Sequence, residues 1–163
     1  MATITLGGTE VHTLGNLPET GSQAPDVELV DRSLGRVHIS DFRGEKVLLN
    51  IFPSVNTGVC SNSVRKFNEQ ASRVPGSKVL CISRDLPFTQ EQFCAAEGIE
   101  NVVMLSDYRD GRFGEAYQLT MTNGNFEALL SRCVIVLDAQ GKVRYSEQVP
   151  EIGQEPDYNA ALE

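Results

Sequence analysis

Residues Lys46 to Cys60 read Lys-Val-Leu-Leu-Asn-Ile-Phe-Pro-Ser-Val-Asn-Thr-Gly-Val-Cys. The run to Phe52 is almost continuously apolar, the pattern of a central strand buried on both faces. Pro53 ends it, because proline cannot donate to a strand ladder. Beyond Thr57 the period changes. Cys60, Val64, Phe67, Ala71 and Val74 recur at intervals of four and three, one face of an amphipathic helix. Pro75-Gly76 stops that helix. A doubly buried strand that turns at once into an amphipathic helix is the opening of an α/β unit.

Outward from this unit the alternation continues. Lys78 to Ser83 reads as a second buried strand, Phe88 to Glu97 as a short helix, and Asn101 to Leu105 as a third strand. A short helix is expected near Arg112 to Tyr117. Val134 to Asp138 and Val143 to Ser146, joined through Ala139-Gln140-Gly141, form a late antiparallel pair. Upstream, Thr3 to Leu6 and Thr9 to Thr13 flank Gly7-Gly8 as an N-terminal hairpin. A polar linker from Gly15 to Pro25 follows, then a second hairpin with Val27 to Val30 and Val37 to Ile39 as its strands. Pro156 to Leu162 opens a terminal helix. The expectation is an α/β mixed sheet flanked by helices, in one domain over residues 1–163, with no repeat or linker dividing it.

The bulk numbers narrow the function. At 163 residues the chain can bury roughly two-thirds of its unfolded surface. A net charge of −8 argues against a nucleic-acid partner, which calls for clustered Lys and Arg. No apolar run approaches the ~20 residues of a membrane span, and the first residues carry no basic or apolar signal region. A cytoplasmic protein without membrane contact is expected. The four cysteines, Cys60, Cys81, Cys94 and Cys133, are too far apart for the close ligand pairs of structural zinc, and His12 and His38 stand alone. No metal is expected. A secreted disulfide scaffold is not expected of a chain this large, which leaves buried inert thiols, redox thiols, or both.

Cys60 sits where both descriptions apply. With Thr57 as N-cap, Cys60 is the third helical residue, among backbone N–H groups that have no intrahelical partner. The helix dipole favours an anion there by roughly 0.3–1 kcal/mol, and the thiolate is the nucleophilic form of cysteine. Its register with Val64 and Phe67 equally suits the first packing residue of the apolar face. Together these place the thiol half-sunk in the first turn. Pro53 stops the strand and shields the thiol, Thr57 caps the helix with a hydroxyl near it, and Gly58 leaves the approach uncrowded.

The stretch PSVNTGVCSNSVRKFN resembles the active-site segment of the peroxiredoxins, with their Pro-x-x-x-Thr-x-x-Cys motif, and in particular the atypical 2-Cys thiol peroxidase group. LCISRDLPFTQEQFCAAEG, Leu80 to Gly98, is similar to that group's second-cysteine segment, and EPDYNAAL to its C-terminal signature; GSQAPDVELV and the first hairpin also match in place. The resemblance implies a thioredoxin-like fold. It implies Cys60 as the peroxidatic cysteine, attacking a peroxide and becoming a sulfenic acid, with Pro53, Thr57 and Arg132 binding the substrate around it. It implies Cys94 as the resolving cysteine, closing an intramolecular disulfide with Cys60. It further implies hydrogen peroxide and alkyl hydroperoxides as substrates, thioredoxin as reductant, no bound cofactor, and a homodimer. Nothing local singles out Arg132, which by itself reads as a solvated charge at a strand end.

Around Cys94, Thr89-x-x-Gln92 reads as a capping box with Phe88 and Phe93 at staple positions, and Gly98 as the C′ residue. A helix of about two turns is marginal without tertiary packing, which suits a cysteine that must travel. Cys81 and Cys133 lie in apolar strand runs and read as packing thiols. Asn56 stands where the group usually has an acidic residue, so one negative charge near Cys60 is missing. Two other functions compete: a dithiol–disulfide exchanger, which would need Cys-x-x-Cys where this chain has Cys60-Ser61-Asn62-Ser63, and a non-catalytic binding module on the same scaffold.

Overall fold

The computed structural model describes residues 2–71 and 76–157. Its centre is the strand anticipated above, β5, Lys46–Ile51. Together with β3 (Glu28–Asp31), β4 (Arg36–His38), β6 (Ser77–Ser83), β7 (Val103–Ser106), β8 (Cys133–Leu137) and β9 (Val143–Gln148) it builds one seven-stranded sheet. The order is β4-β3-β7-β6-β5-β8-β9. β5, β6 and β7 run parallel, while β8 and β9 on one side and β3 and β4 on the other are antiparallel. β1 (Thr3–Leu6) and β2 (Thr9–His12) form the separate N-terminal hairpin.

Parallel neighbours require crossovers, and α1 (Gly58–Ala71) and α2 (Pro87–Glu97) supply them between β5, β6 and β7. Both steps move the same way across the sheet, so right-handed crossovers put both helices on one face. Strand alternation then divides the core in two. On the helix face Leu48, Phe52, Val79, Cys81, Met104, Val134 and Val136 pack against Cys60, Val64 and Phe67 of α1 and Cys94 of α2. On the other face Leu49, Ile51, Leu80, Ile82, Cys133 and Ile135 pack against α3 (Arg112–Ala116) and Tyr117, whose ring stacks on Phe113 at 4.5 Å.

The N-terminal hairpin is fastened to the segment after β9. Thr5 N–H donates to Pro150 O and Ile152 N–H to Thr5 O, both at 2.8 Å. The Glu151 carboxylate accepts from Gly8 N–H at 2.9 Å and from the Thr5 hydroxyl at 3.1 Å.

Two expectations change. α2 starts at Pro87, with Leu86 as N-cap and no side-chain cap, so Thr89-x-x-Gln92 is not a capping box. The reason is Pro87: a proline in the first turn has no N–H to satisfy and its φ is already helical. α2 is therefore eleven residues, about three turns, and Phe88 is exposed rather than stapled. Gly98 does close it in the left-handed conformation, φ 65°. The helix stop expected at Pro75 lies outside the described residues, as does all but Pro156 and Asp157 of the terminal helix expected over Pro156 to Leu162.

Candidate active site

The site forms where β5 ends. Phe52 leaves the sheet and Pro53, itself buried, starts a turn that reverses into α1. Ser54 organises that turn: its carbonyl accepts the Thr57 N–H and the Thr57 hydroxyl, each at 3.2 Å, and its own hydroxyl oxygen accepts the Asn56 N–H at 3.1 Å. Thr57 takes the N-cap place, its Oγ1 accepting from the Cys60 N–H at 3.4 Å and its carbonyl from the Ser61 N–H at 3.0 Å. Cys60 stands in the first turn as expected, but it is wholly buried, at 0% exposure, rather than half-sunk. Asn56 is exposed on the rim.

Arg132 departs most sharply from what its local sequence suggests. It is not a solvated charge; it is 2% exposed and lies against the sulfur. Its Nη2 donates to Cys60 Sγ at 3.1 Å and its Nε to Ile152 O at 2.8 Å. Nη1 is buried and finds no hydrogen-bond partner among the described residues. Register accounts for this position. Ile51 pairs with Cys133 across the antiparallel β5–β8 ladder, so Arg132 enters beside the start of the Pro53 turn. Alternation puts it on the same face as Val134 and Val136, the face that holds Cys60. A thiol in a helix first turn, touched by a guanidinium, is an electropositive setting for an anionic sulfur.

Cys94 is buried in the same apolar cluster as Cys60, at 2% exposure, on the last turns of α2. Burial pushes its thiol up, while the Arg32 guanidinium pulls the other way. All four cysteines are unbridged. Cys81 and Cys133 are fully buried, and burial lifts both thiols to about 12, against which the Asn50 amide beside Cys81 and the Ser131 hydroxyl beside Cys133 do little. Both pack, as anticipated, and they sit on opposite faces of the sheet.

A protein-family model, Redoxin, matches residues 19–162. A thiol peroxidase of Mycobacterium tuberculosis is 52% identical over 99% of this chain and 97% of its own, and one from Corynebacterium glutamicum 50% over 99% and 98%. The chain belongs to the redoxin family, among its thiol peroxidases. Among solved structures, a peroxiredoxin-like protein from Aquifex aeolicus superposes with a TM-score of 0.94 at 33% identity, over 99% of this chain and 94% of that one. The thioredoxin-like fold expected from the resemblance is thereby shown.

Local sequence found the redoxin turn because cap, proline and cysteine are neighbours in the chain. Arg132 stands 72 positions from Cys60, and only the strand register joins them. A second polar group escaped sequence reading altogether. Asp85 lies between the Cys60 turn and α2, accepting hydrogen bonds from Ser54, Val55 and Ser83.

Proposed function

We propose that this thiol-dependent peroxidase works through Cys60 and Cys94. The carrying observation is the Arg132 guanidinium, which touches Cys60 Sγ with Nη2 and keeps a buried, unpartnered donor in Nη1. A buried donor without an acceptor costs about 1–3 kcal/mol. A peroxide oxygen is an acceptor small enough to enter beside the sulfur and relieve that cost.

The Cys60 thiolate attacks the terminal oxygen of hydrogen peroxide or an alkyl hydroperoxide. The O–O bond breaks, sulfur gains one oxygen, and the leaving oxygen takes a proton and departs as water or alcohol. Arg132 steadies sulfur and the breaking bond together. Thr57, whose hydroxyl proton rests on the Ser54 carbonyl, turns to donate to the substrate, and Pro53 keeps bulk water from the sulfur. The Cys94 thiol then displaces water from the sulfenic acid, forming a Cys60–Cys94 disulfide. A dithiol protein of thioredoxin type takes that bond by exchange, ends as the disulfide, and returns both cysteines as thiols. The cycle needs no cofactor or metal.

Cys60 and Cys94 are both buried, so the condensation and the exchange require local opening of α2. The homodimer implied by the resemblance, a single domain and a cytoplasmic setting belong to the same proposal. Exposed Leu86 and Phe88 at the start of α2 support a face that meets another protein. No helix among the described residues is long and apolar enough to cross a membrane.

One equivalent of hydrogen peroxide followed by peptide mapping tests the cycle. The expected product carries a Cys60–Cys94 bond with Cys81 and Cys133 still thiols, and Cys60→Ser consumes no peroxide. Consumption by Cys60→Ser at the unsubstituted rate overturns it, and a bond to Cys133 overturns the role of Cys94.

A further inference from the structure

The proposed cycle sets two demands that conflict. Cys60 must be held in one geometry to meet peroxide, yet α2 must release so that Cys94 can reach it. Asp85 is placed to serve both. Its Oδ1 accepts the Ser54 hydroxyl at 2.7 Å, and its Oδ2 accepts the Val55 N–H at 2.9 Å and the Ser83 hydroxyl at 2.6 Å. Ser54 and Val55 belong to the turn that ends in Cys60, and the Ser54 carbonyl in turn holds Thr57. On the other side, the Ser83 hydroxyl oxygen accepts from the wholly buried Gln90 amide at 3.2 Å, which also donates to Leu105 O at 2.9 Å. Gln90 is on α2, one turn before Cys94 and on the same buried face. The Asp85 carbonyl accepts the Ser106 hydroxyl, which fixes the carboxylate to the end of β7.

Hydrogen bonds therefore run from Thr57 through Ser54 to the Asp85 carboxylate, and from there through Ser83 to Gln90. A polar tie directly between the two helices, the bidentate pair of Arg65 with Glu97 at 3.1 Å, is exposed on the surface, where such pairs contribute little. Bonds to a half-buried carboxylate are charge-assisted and stronger.

We propose that Asp85 is a positioning residue of this peroxidase, holding the Cys60 turn and the Cys94 helix in the one arrangement that meets peroxide. It touches neither sulfur nor substrate. Its contacts are made while Cys60 is reduced and are given up as α2 opens for the condensation. Removing the carboxylate has opposite effects on the two chemical steps. Oxidation of Cys60 slows, because the turn loses its anchor. The condensation with Cys94 does not slow, because the Ser83 hydroxyl on which Gln90 of α2 rests is no longer fixed by the carboxylate.

This inference rests on Cys60 and Cys94 as the reacting pair, and the test separates the two ideas. Full-length Asp85→Ala, Asp85→Asn and Ser54→Ala are each mixed with hydrogen peroxide in a single turnover and quenched at intervals. Mass spectrometry then counts thiol, sulfenic acid, disulfide and sulfinic acid at Cys60. In Asp85→Ala, Cys60 oxidation falls about tenfold or more, as misplaced reacting groups do. The disulfide forms from the sulfenic acid at least as fast as in the unsubstituted protein, and less sulfinic acid accumulates at high peroxide. Asp85→Asn keeps one acceptor oxygen for Val55 and Ser83 and restores most of the oxidation rate. Ser54→Ala removes one of the three bonds and shows the same split on a smaller scale, which carries the test if Asp85→Ala does not fold. Both steps slowing in parallel, or neither changing, overturns the role of Asp85. Absence of a Cys60–Cys94 bond in the unsubstituted protein overturns the cycle instead.

Discussion

Replacing Arg132 by glutamine tests the two jobs proposed for one guanidinium. Glutamine is two bonds shorter: its amide nitrogen falls near the Nε position, beside Ile152 O, and it supplies no charge and no counterpart to Nη1 or to Nη2, which stands 3.1 Å from Cys60 Sγ. Hydrogen bonds to charged groups are worth about 1.5–3 kcal/mol, so the sulfur loses about that much support. That corresponds to a fall of about 10- to 150-fold in any reaction that needs the anionic sulfur. The peroxide reaction loses more if Nη1 binds the substrate. An acceptor filling that buried donor is worth about 1–3 kcal/mol, a further factor of about 5 to 150. The assay compares alkylation of Cys60 by iodoacetamide with its oxidation by hydrogen peroxide, in the variant and in the unsubstituted protein. The chain has no tryptophan, so mass is the readout. Both reagents must reach the same buried sulfur, so the contrast between them isolates the contact to peroxide. Oxidation falling further than alkylation is the expected result. Equal falls would refute the assignment of Nη1 to the substrate, and no fall in either would refute the whole role of Arg132.

Cys94→Ser is expected to oxidise Cys60 at the unsubstituted rate in the first turnover, then to stall as sulfenic and sulfinic acid; steady turnover with a dithiol protein contradicts this. Alkaline stability reports the packing thiols. Cys81 and Cys133 stay protonated in the fold up to about 12, whereas their ordinary value is 9.0, so above 9.0 the unfolded chain releases protons that the fold retains. Stability is level below that point and falls as pH rises toward 12, by about 1.4 kcal/mol per pH unit for each thiol. Urea titrations across that range check the slope, and Cys81→Val with Cys133→Val should flatten it. Asp107→Asn should lower stability by about 3 kcal/mol, because it breaks a buried pair. The Asp107 carboxylate accepts from Arg84 Nε and Nη2 at 2.9 and 2.8 Å and from the Gly114 N–H at 3.1 Å. A calorimetric Tm lower by about 6–12 °C is the expected reading.

What could be read from the chain follows the range of the forces involved. Caps, turns and strand periodicity act over a few residues, which is why Pro53, Thr57 and Cys60 declared themselves and why β5, β6, β8 and the first hairpin fell where expected. The start of α2 was misplaced because a hydroxyl-led capping pattern at Thr89 competed with Pro87, and the proline prevailed. Arg132 and Asp85 were beyond local reading for another reason. A buried charge is specified by what lies across the fold: the β5–β8 register for one, and the meeting of two loop ends for the other. In sequence both residues look like ordinary surface charges. The family resemblance pointed to Arg132, and only the three-dimensional arrangement brings Asp85 to the Cys60 turn.

The attachment of the N-terminal hairpin has a practical side. Thr5 grips Ile152 through its backbone, and the Ile152 carbonyl steers the guanidinium that rests on Cys60 sulfur. The first strand and the Cys60 sulfur are thus linked in series through three hydrogen-bonded junctions, although 55 positions of chain separate Thr5 from Cys60. Anything that tugs on that strand, such as an affinity tag fused ahead of Thr3 or a protease nick at Gly7-Gly8, pulls on the aim of Arg132. Reactivity measured on a tagged protein therefore belongs to the tagged protein until the tag has been removed.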